Sequence, residues 1–257
     1  MEPAFIKIAT ALLLLALSGC VTQTDRVFTE PPSPEKALQQ RVDLARQYIG
    51  EGNWNDAKRN LKQAERMDPH NAELNEAFAL VYQRTGEYEL AEEYFKKAIR
   101  GNRNFSRARN NYAVFLYSRK RYKEAAEQLE YVVSDLLYTQ RAQAFINLGL
   151  SRLQLDDKTG AEEAFTRALA MERVNAVALL ETAILRFEAA DYETSEKYYG
   201  IYRTAVRQQS ARGLWLGVQL AQQAGNRDAE GSYGMALRNL YPQSAEYLEY
   251  RSRHGDQ

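Results

Sequence analysis

Apolar and polar positions along the chain first form one apolar block of about ten residues, Ile8 to Leu17, and then an amphipathic pattern that repeats about every 34 residues. The stretch GNWNDAKRNLKQA at 52–64 returns as GEYELAEEYFKKA at 86–98 and as KRYKEAAEQLEYV at 120–132. A fourth copy, DDKTGAEEAFTRA at 156–168, follows after 36 residues and so carries a two-residue insertion. The fifth is ADYETSEKYYGIY at 190–202, and a sixth, one residue short, is GNRDAEGSYGMA at 225–236. Each copy has a small residue (Ala57, Ala91, Ala125, Ala161, Ser195, Ala229) and a bulky one four positions later (Leu61, Phe95, Leu129, Phe165, Tyr199, Tyr233). About twelve positions upstream sits a second small residue: Ala45, Ala79, Ala113, Gly149, Ala183 or Gly217. Offsets of three and four residues share one face of a helix, so small residues here predict close helix contacts and bulky ones the filling between them.

This spacing resembles the tetratricopeptide (TPR) pattern of two antiparallel helices per 34-residue unit. The expected fold is all-α: a right-handed superhelical solenoid of six helix-turn-helix repeats over residues 34–257, starting near Leu38, Ala72, Ser106, Ala142, Ala176 and Ser210. Ser33 suits the cap of the first helix and Pro34 its first position. Turns between paired helices are expected at Gly52-Asn53-Trp54, Gly86-Glu87-Tyr88 and Lys120-Arg121-Tyr122. Repeat-phased tyrosines such as Tyr48, Tyr82, Tyr88, Tyr122, Tyr192 and Tyr199 read mainly as packing between helices.

Composition agrees with a helical chain, because breakers are few: three of the six prolines (Pro31, Pro32, Pro34) fall in one cluster. Basic and acidic residues number 34 each, so the chain lacks the electrostatic footprint of a nucleic-acid binder. The apolar block is too short for a bilayer span, which needs about 20 residues. With Lys7 before it and small residues after it, the block reads as a signal peptide over residues 1–19. Leu17-Ser18-Gly19-Cys20 resembles the bacterial lipobox, in which diacylglycerol is attached to the cysteine sulfur before cleavage. Cys20 is the chain's only cysteine and has no disulfide partner. Residues 20–33 then form a lipidated cysteine and a flexible, Pro-rich spacer, with a reach of roughly 40 Å at about 3.3 Å per residue. Val21 in place of aspartate resembles an outer-membrane address, which sets the expected location at that membrane's periplasmic face.

No chemistry-bearing constellation is evident. His70 and His254 lie far apart, no metal-ligand spacing or phosphate-cradling loop occurs, and no cofactor is implied. The pairs Glu92-Glu93 and Glu162-Glu163 read as solvated helix faces. The chain reads as a binding scaffold rather than an enzyme. In such a solenoid the first helices of successive repeats line a concave groove that receives a peptide. The groove-facing positions are expected at Val42, Arg46 and Ile49 in repeat 1, Glu76, Leu80 and Gln83 in repeat 2, and Asn110, Val114 and Tyr117 in repeat 3. Val42 and Ile49, if exposed, would form a hydrophobic landing strip; burial against neighbouring helices is the alternative. Val42 and Ala77 stand where a clamp for a peptide carboxylate would need Lys and Asn, which disfavours that ligand.

Four further stretches are similar to the type IV pilus biogenesis and stability lipoproteins, the secretin pilotins. They are ARNNYAVFLYSRKRYKEAAEQLE at 108–130, SDLLYTQRAQAFINLGLSRLQ at 134–154, QSARGLWLGVQLA at 209–221 and YGMALRNLYPQSAEYLEY at 233–250. With the lipobox, this resemblance spans nearly the whole chain. It implies that the partners are secretin subunits of the outer-membrane channel, whose delivery and multimerisation the lipoprotein promotes. It also implies a client surface on the N-terminal repeats. Two other readings remain open: a scaffold for another envelope assembly machine, and an enzyme with a site between repeats.

Overall fold

In the computed structural model, residues 33–255 are described, and they form thirteen helices with no strand among them. By contacts the chain divides into a unit ending at Ala37 and one running from Leu38 to Gln257. In the first unit, the Ser33 hydroxyl accepts from the Lys36 amide at 3.3 Å and caps a helix whose first residue is Pro34. The signal peptide, Cys20 and the spacer up to residue 32 lie outside the described residues.

The helices follow as six hairpins: α1 (Pro34–Gly50) with α2 (Trp54–Glu65), α3 (Ala72–Thr85) with α4 (Tyr88–Gly101), α5 (Ser106–Ser118) with α6 (Tyr122–Ser134), α7 (Arg141–Leu153) with α8 (Lys158–Met171), α9 (Ala176–Glu188) with α10 (Tyr192–Ala205), and α11 (Ala211–Gln223) with α12 (Arg227–Leu240). A thirteenth helix, α13 (Ala245–His254), follows the sixth hairpin; the 34-residue period does not announce it.

Inside every hairpin one residue takes a left-handed conformation: Gly52, Gly86, Lys120, Asp156, Ala190 and Gly225, all at φ between 60° and 88°. The turn closes with the hydrogen bonds of a helix C-cap, as where Lys120 donates to the Tyr117 carbonyl and Arg121 to that of Leu116, both at 2.9 Å. Glycine adopts this conformation freely, whereas a side chain costs about 1–2 kcal/mol there. Three repeats carry that cost.

The small and bulky positions form the core through five repeats. Ala57, Ala91, Ala125, Ala161 and Ser195 are fully buried, as are Leu61, Phe95, Leu129, Phe165 and Tyr199. The Ser195 hydroxyl is satisfied by the Ala183 carbonyl at 2.8 Å, so serine replaces alanine there without an orphaned polar group. In the sixth repeat Ala229 and Tyr233 are only half-buried, and α13 takes over the covering role. Its Tyr250 ring sits against Gly234, where any β-carbon would collide with it.

Ion pairs staple neighbouring hairpins. Glu92 on α4 receives Arg121 at 2.7 Å, Lys96 at 2.7 Å and the Tyr112 hydroxyl at 3.0 Å. Glu162 on α8 pairs with Arg186 of α9. Glu92 and Glu162 are therefore not the freely solvated face the sequence suggested, whereas their neighbours Glu93 and Glu163 are exposed. The Arg121 guanidinium, more than any other partner, holds the Glu92 carboxyl down at about 2.

Candidate functional site

The first helices of the hairpins, α1, α3, α5, α7, α9 and α11, line one side of the stack. Tyr117 on α5 of that side feels the charges of Glu181 on α9 and Arg212 on α11. Burial chiefly raises the Tyr117 hydroxyl, then Tyr122 and Glu181; Arg212 opposes them.

The groove opens on a charged cluster. Glu76 of α3 is fully buried and pairs with Arg46 of α1, while Asn111 of α5 donates to it at 2.6 Å. Arg46 also donates to the Glu73 carbonyl at 3.2 Å. Arg107 of α5 approaches Glu76 at 3.6 Å and Glu73 at 3.5 Å. One carboxylate thus ties three helices from three hairpins together, which compensates its desolvation.

Further along, Ala113, Val114 and Tyr117 of α5, Leu129 of α6 and Asn147, Leu150 and Ser151 of α7 enclose an almost wholly apolar pocket of about 70 Å³. Val114 is 43 % exposed at its mouth. Cavities for small organic ligands run to about 300–1,000 Å³, so this one has the size for a single aliphatic side chain. Beside it, Asn147 donates to Asn110 at 3.4 Å and accepts from Gln143 at 3.1 Å. A separate, larger cavity of about 570 Å³ lies toward the C-terminal end, where Ile184, Phe187, Arg212, Trp215 and Gln219 face Glu246 of α13. There Arg212 forks onto Glu181, one arm at 2.9 Å, and Arg253 stacks on Trp215 at 5.1 Å.

The expected groove residues divide by phase. Val42, Glu76 and Asn110 are buried, as are Ile146, Leu180 and Leu214 at the same phase of the later repeats. Val42 packs with Leu38, Ala45, Leu61 and Phe78, and half-buried Ile49 packs against the same cluster. The landing strip on repeat 1 is therefore corrected: Val42 belongs to the core and presents nothing to a partner. Arg46, Leu80, Gln83, Val114 and Tyr117 keep exposed surface. Val114 and Tyr117 are brought together in the apolar pocket with Leu150 and Asn147, which were not singled out in the sequence. Both lie 36 residues beyond Val114 and Asn111, the local repeat length, so the period itself carried that signal.

Among the described residues, no group of three or more acidic, histidine or cysteine side chains is placed to hold a metal ion, and no helix is long and apolar enough to cross a membrane.

The family model of the tetratricopeptide repeat matches residues 42–104, 76–135 and 146–210. The chain is 36 % identical over 242 residues to the type IV pilus assembly protein PilF of Pseudomonas aeruginosa, covering 94 % of this chain and 96 % of that one. A solved structure from the functional characterization of Pseudomonas aeruginosa pilF superposes with a TM-score of 0.81 at 36 % identity, over 86 % of this chain and all of that one. The crystal structure of PilW, described as a widely conserved type IV pilus biogenesis factor, superposes with a TM-score of 0.70 at 25 % identity, over 83 % and 98 % of the two chains.

Proposed function

This chain belongs to the tetratricopeptide repeat family and is a homologue of PilF, and from that premise we propose that it is a secretin pilotin, an outer-membrane lipoprotein. The homology to PilF and PilW supports a role in type IV pilus biogenesis, exercised through protein contacts. In the proposal, Cys20 carries the acyl chains, residues 20–33 give reach, and the solenoid stands on the periplasmic face of the outer membrane. More than one acyl chain is needed for stable anchoring, which a di- or triacylated cysteine satisfies. The groove of the first helices holds an extended segment of a secretin subunit, and holding it promotes delivery and multimer assembly. No covalent step is involved.

The observation that carries the reading is the almost wholly apolar pocket at Val114, Tyr117 and Leu150, sized for one side chain, with half-buried Asn147 in its lining. Aliphatic anchoring with main-chain hydrogen bonding is how extended peptides are commonly held. Deleting the gene tests the reading: secretin should remain as monomer and surface pili should be lost. Normal multimers and pili in the deletion strain would refute it. Cys20→Ser tests the tether separately, by moving the protein out of the outer-membrane fraction.

A further inference from the structure

The six hairpins stack side by side, so all connections from one hairpin to the next lie on one edge. Contacts between successive connections follow that edge. Tyr131 donates to Asn104 at 2.5 Å, Ser106 to Asp135 at 2.5 Å, and Gln208 to the Tyr241 hydroxyl at 3.1 Å. In the middle connection, at the two-residue insertion, Leu136 and Leu137 are 75 % and 90 % exposed. Their backbone is fixed: the Asp135 carboxylate accepts from the Leu137 amide at 3.0 Å, and the Asp135 carbonyl accepts from Tyr138 at 3.2 Å. Tyr138 is anchored in the core beneath them. The next connection adds exposed Val174, and the helix ends beside it add Met171 and Val177.

The charges on this edge are one-sided. Its connections expose Arg66, Arg103, Arg173 and Arg207 against a single exposed carboxylate, Glu172; Asp68 and Asp135 are half-buried and hydrogen-bonded. The turns on the opposite edge expose Glu51, Asp156 and Asp157 against Arg119 and Lys120.

The geometry points to a membrane-contact edge: Leu136 and Leu137 enter the acyl boundary of an anionic bilayer, and the flanking arginines meet lipid phosphates. A few protruding aliphatic side chains fall well short of the roughly 1,000 Å² that a stable protein interface needs. A bilayer asks for no complementary pocket, and apolar insertion beside basic residues is how proteins lie on anionic lipid. The contact goes beyond the proposed tether. A lipid-linked chain is held at high effective concentration over the surface, so even a weak second contact fixes its orientation.

The test removes the tether. The chain from residue 20 with Cys20→Ser retains all five core clusters. It is sedimented with equimolar phosphatidylglycerol–phosphatidylethanolamine vesicles and with phosphatidylcholine vesicles. It should pellet with the anionic vesicles, and less so at about 1 M salt, where the screening length is about 3 Å. Leu136→Asp with Leu137→Asp should lower the partition coefficient about tenfold or more without changing helicity. Arg103→Glu with Arg173→Glu should lower it several-fold and flatten the salt dependence. The inference fails if the parent chain does not pellet, or if the aspartate pair pellets equally. It also fails if that pair changes sedimentation of the protein alone, which would reveal self-association. Since Cys20 is absent throughout, such a failure would leave the lipid tether and the secretin reading untouched.

Discussion

Asn111 donates to the buried carboxylate of Glu76 at 2.6 Å, across the boundary between the third hairpin and the second. Arg46 meets the same carboxylate from the first hairpin, so this contact joins three consecutive repeats at one atom group. Removing one partner of a buried pair commonly costs about 3–5 kcal/mol. Arg46 and Arg107 keep 22 % and 40 % of their side-chain surface, and water can take over part of that role. Glu76→Ala should therefore destabilise the N-terminal repeats by about 3 kcal/mol, the low end of that range. The shift in the urea midpoint measures this; an unchanged midpoint would show that the cluster is not structural.

Two substitutions at helix contacts and turns should move stability in opposite directions. A β-carbon on Gly149 would stand 2.6 Å from the Phe165 ring, so Gly149→Ala should cost about 1–3 kcal/mol. Ala190 sits at φ 60° in its turn, where glycine is relaxed, so Ala190→Gly should stabilise by about 0.5–1 kcal/mol. Thermal melts of the two variants should bracket that of the parent.

Acid should loosen the second and third repeats through Glu92. Its folded-state carboxyl is lowered to about 2 from 4.5, first by Arg121. A depressed acid contributes its stability above the unfolded value and loses it as pH falls through the folded one. Stability should thus decline between about pH 4.5 and pH 2, and Glu92→Gln should flatten that decline. The variant should be the weaker protein at pH 7 and approach the parent near pH 2. Parallel denaturation curves at every pH would contradict the assignment.

The C-terminal helix should come away when its clasp is cut. His254 Nε2 meets Glu230 at 2.7 Å and its Nδ1 meets the Tyr250 carbonyl at 2.9 Å. His254→Ala should raise amide exchange across Ala245–His254 and around Gly234 while leaving the first four repeats protected. Unchanged exchange in α13 would show that Tyr250 packing alone holds it.

The hairpins were legible because a small residue, a bulky one and a left-handed turn recur with the chain's own period, and packing in a solenoid depends only on the next repeat. The groove was only half legible. Glu76 reads as exposed because it is charged, yet Val42, Ile146, Leu180 and Leu214 occupy the same phase and are apolar. Those four residues signal an interface between first helices; Arg46 and Arg107, which make a buried glutamate tolerable there, come from other repeats and are invisible to local pattern. Helix α13 escaped notice because it has no partner helix to complete a seventh unit, although Ser244 caps it through the Tyr247 amide at 3.1 Å. Leu136 and Leu137 fall at the two-residue insertion, and only the fixed turn at Asp135 shows that both face outward.

The most direct test of the central claim places charge at two incompletely buried residues of the groove pocket, Val114 and Leu150. In cells carrying Val114→Glu with Leu150→Glu on the chromosome, secretin is resolved on unheated gels while the level of the variant protein is followed by immunoblot. The account predicts wild-type amounts of the folded lipoprotein and secretin running as monomer. Secretin multimers at parental abundance, with the variant present at parental level, would contradict it.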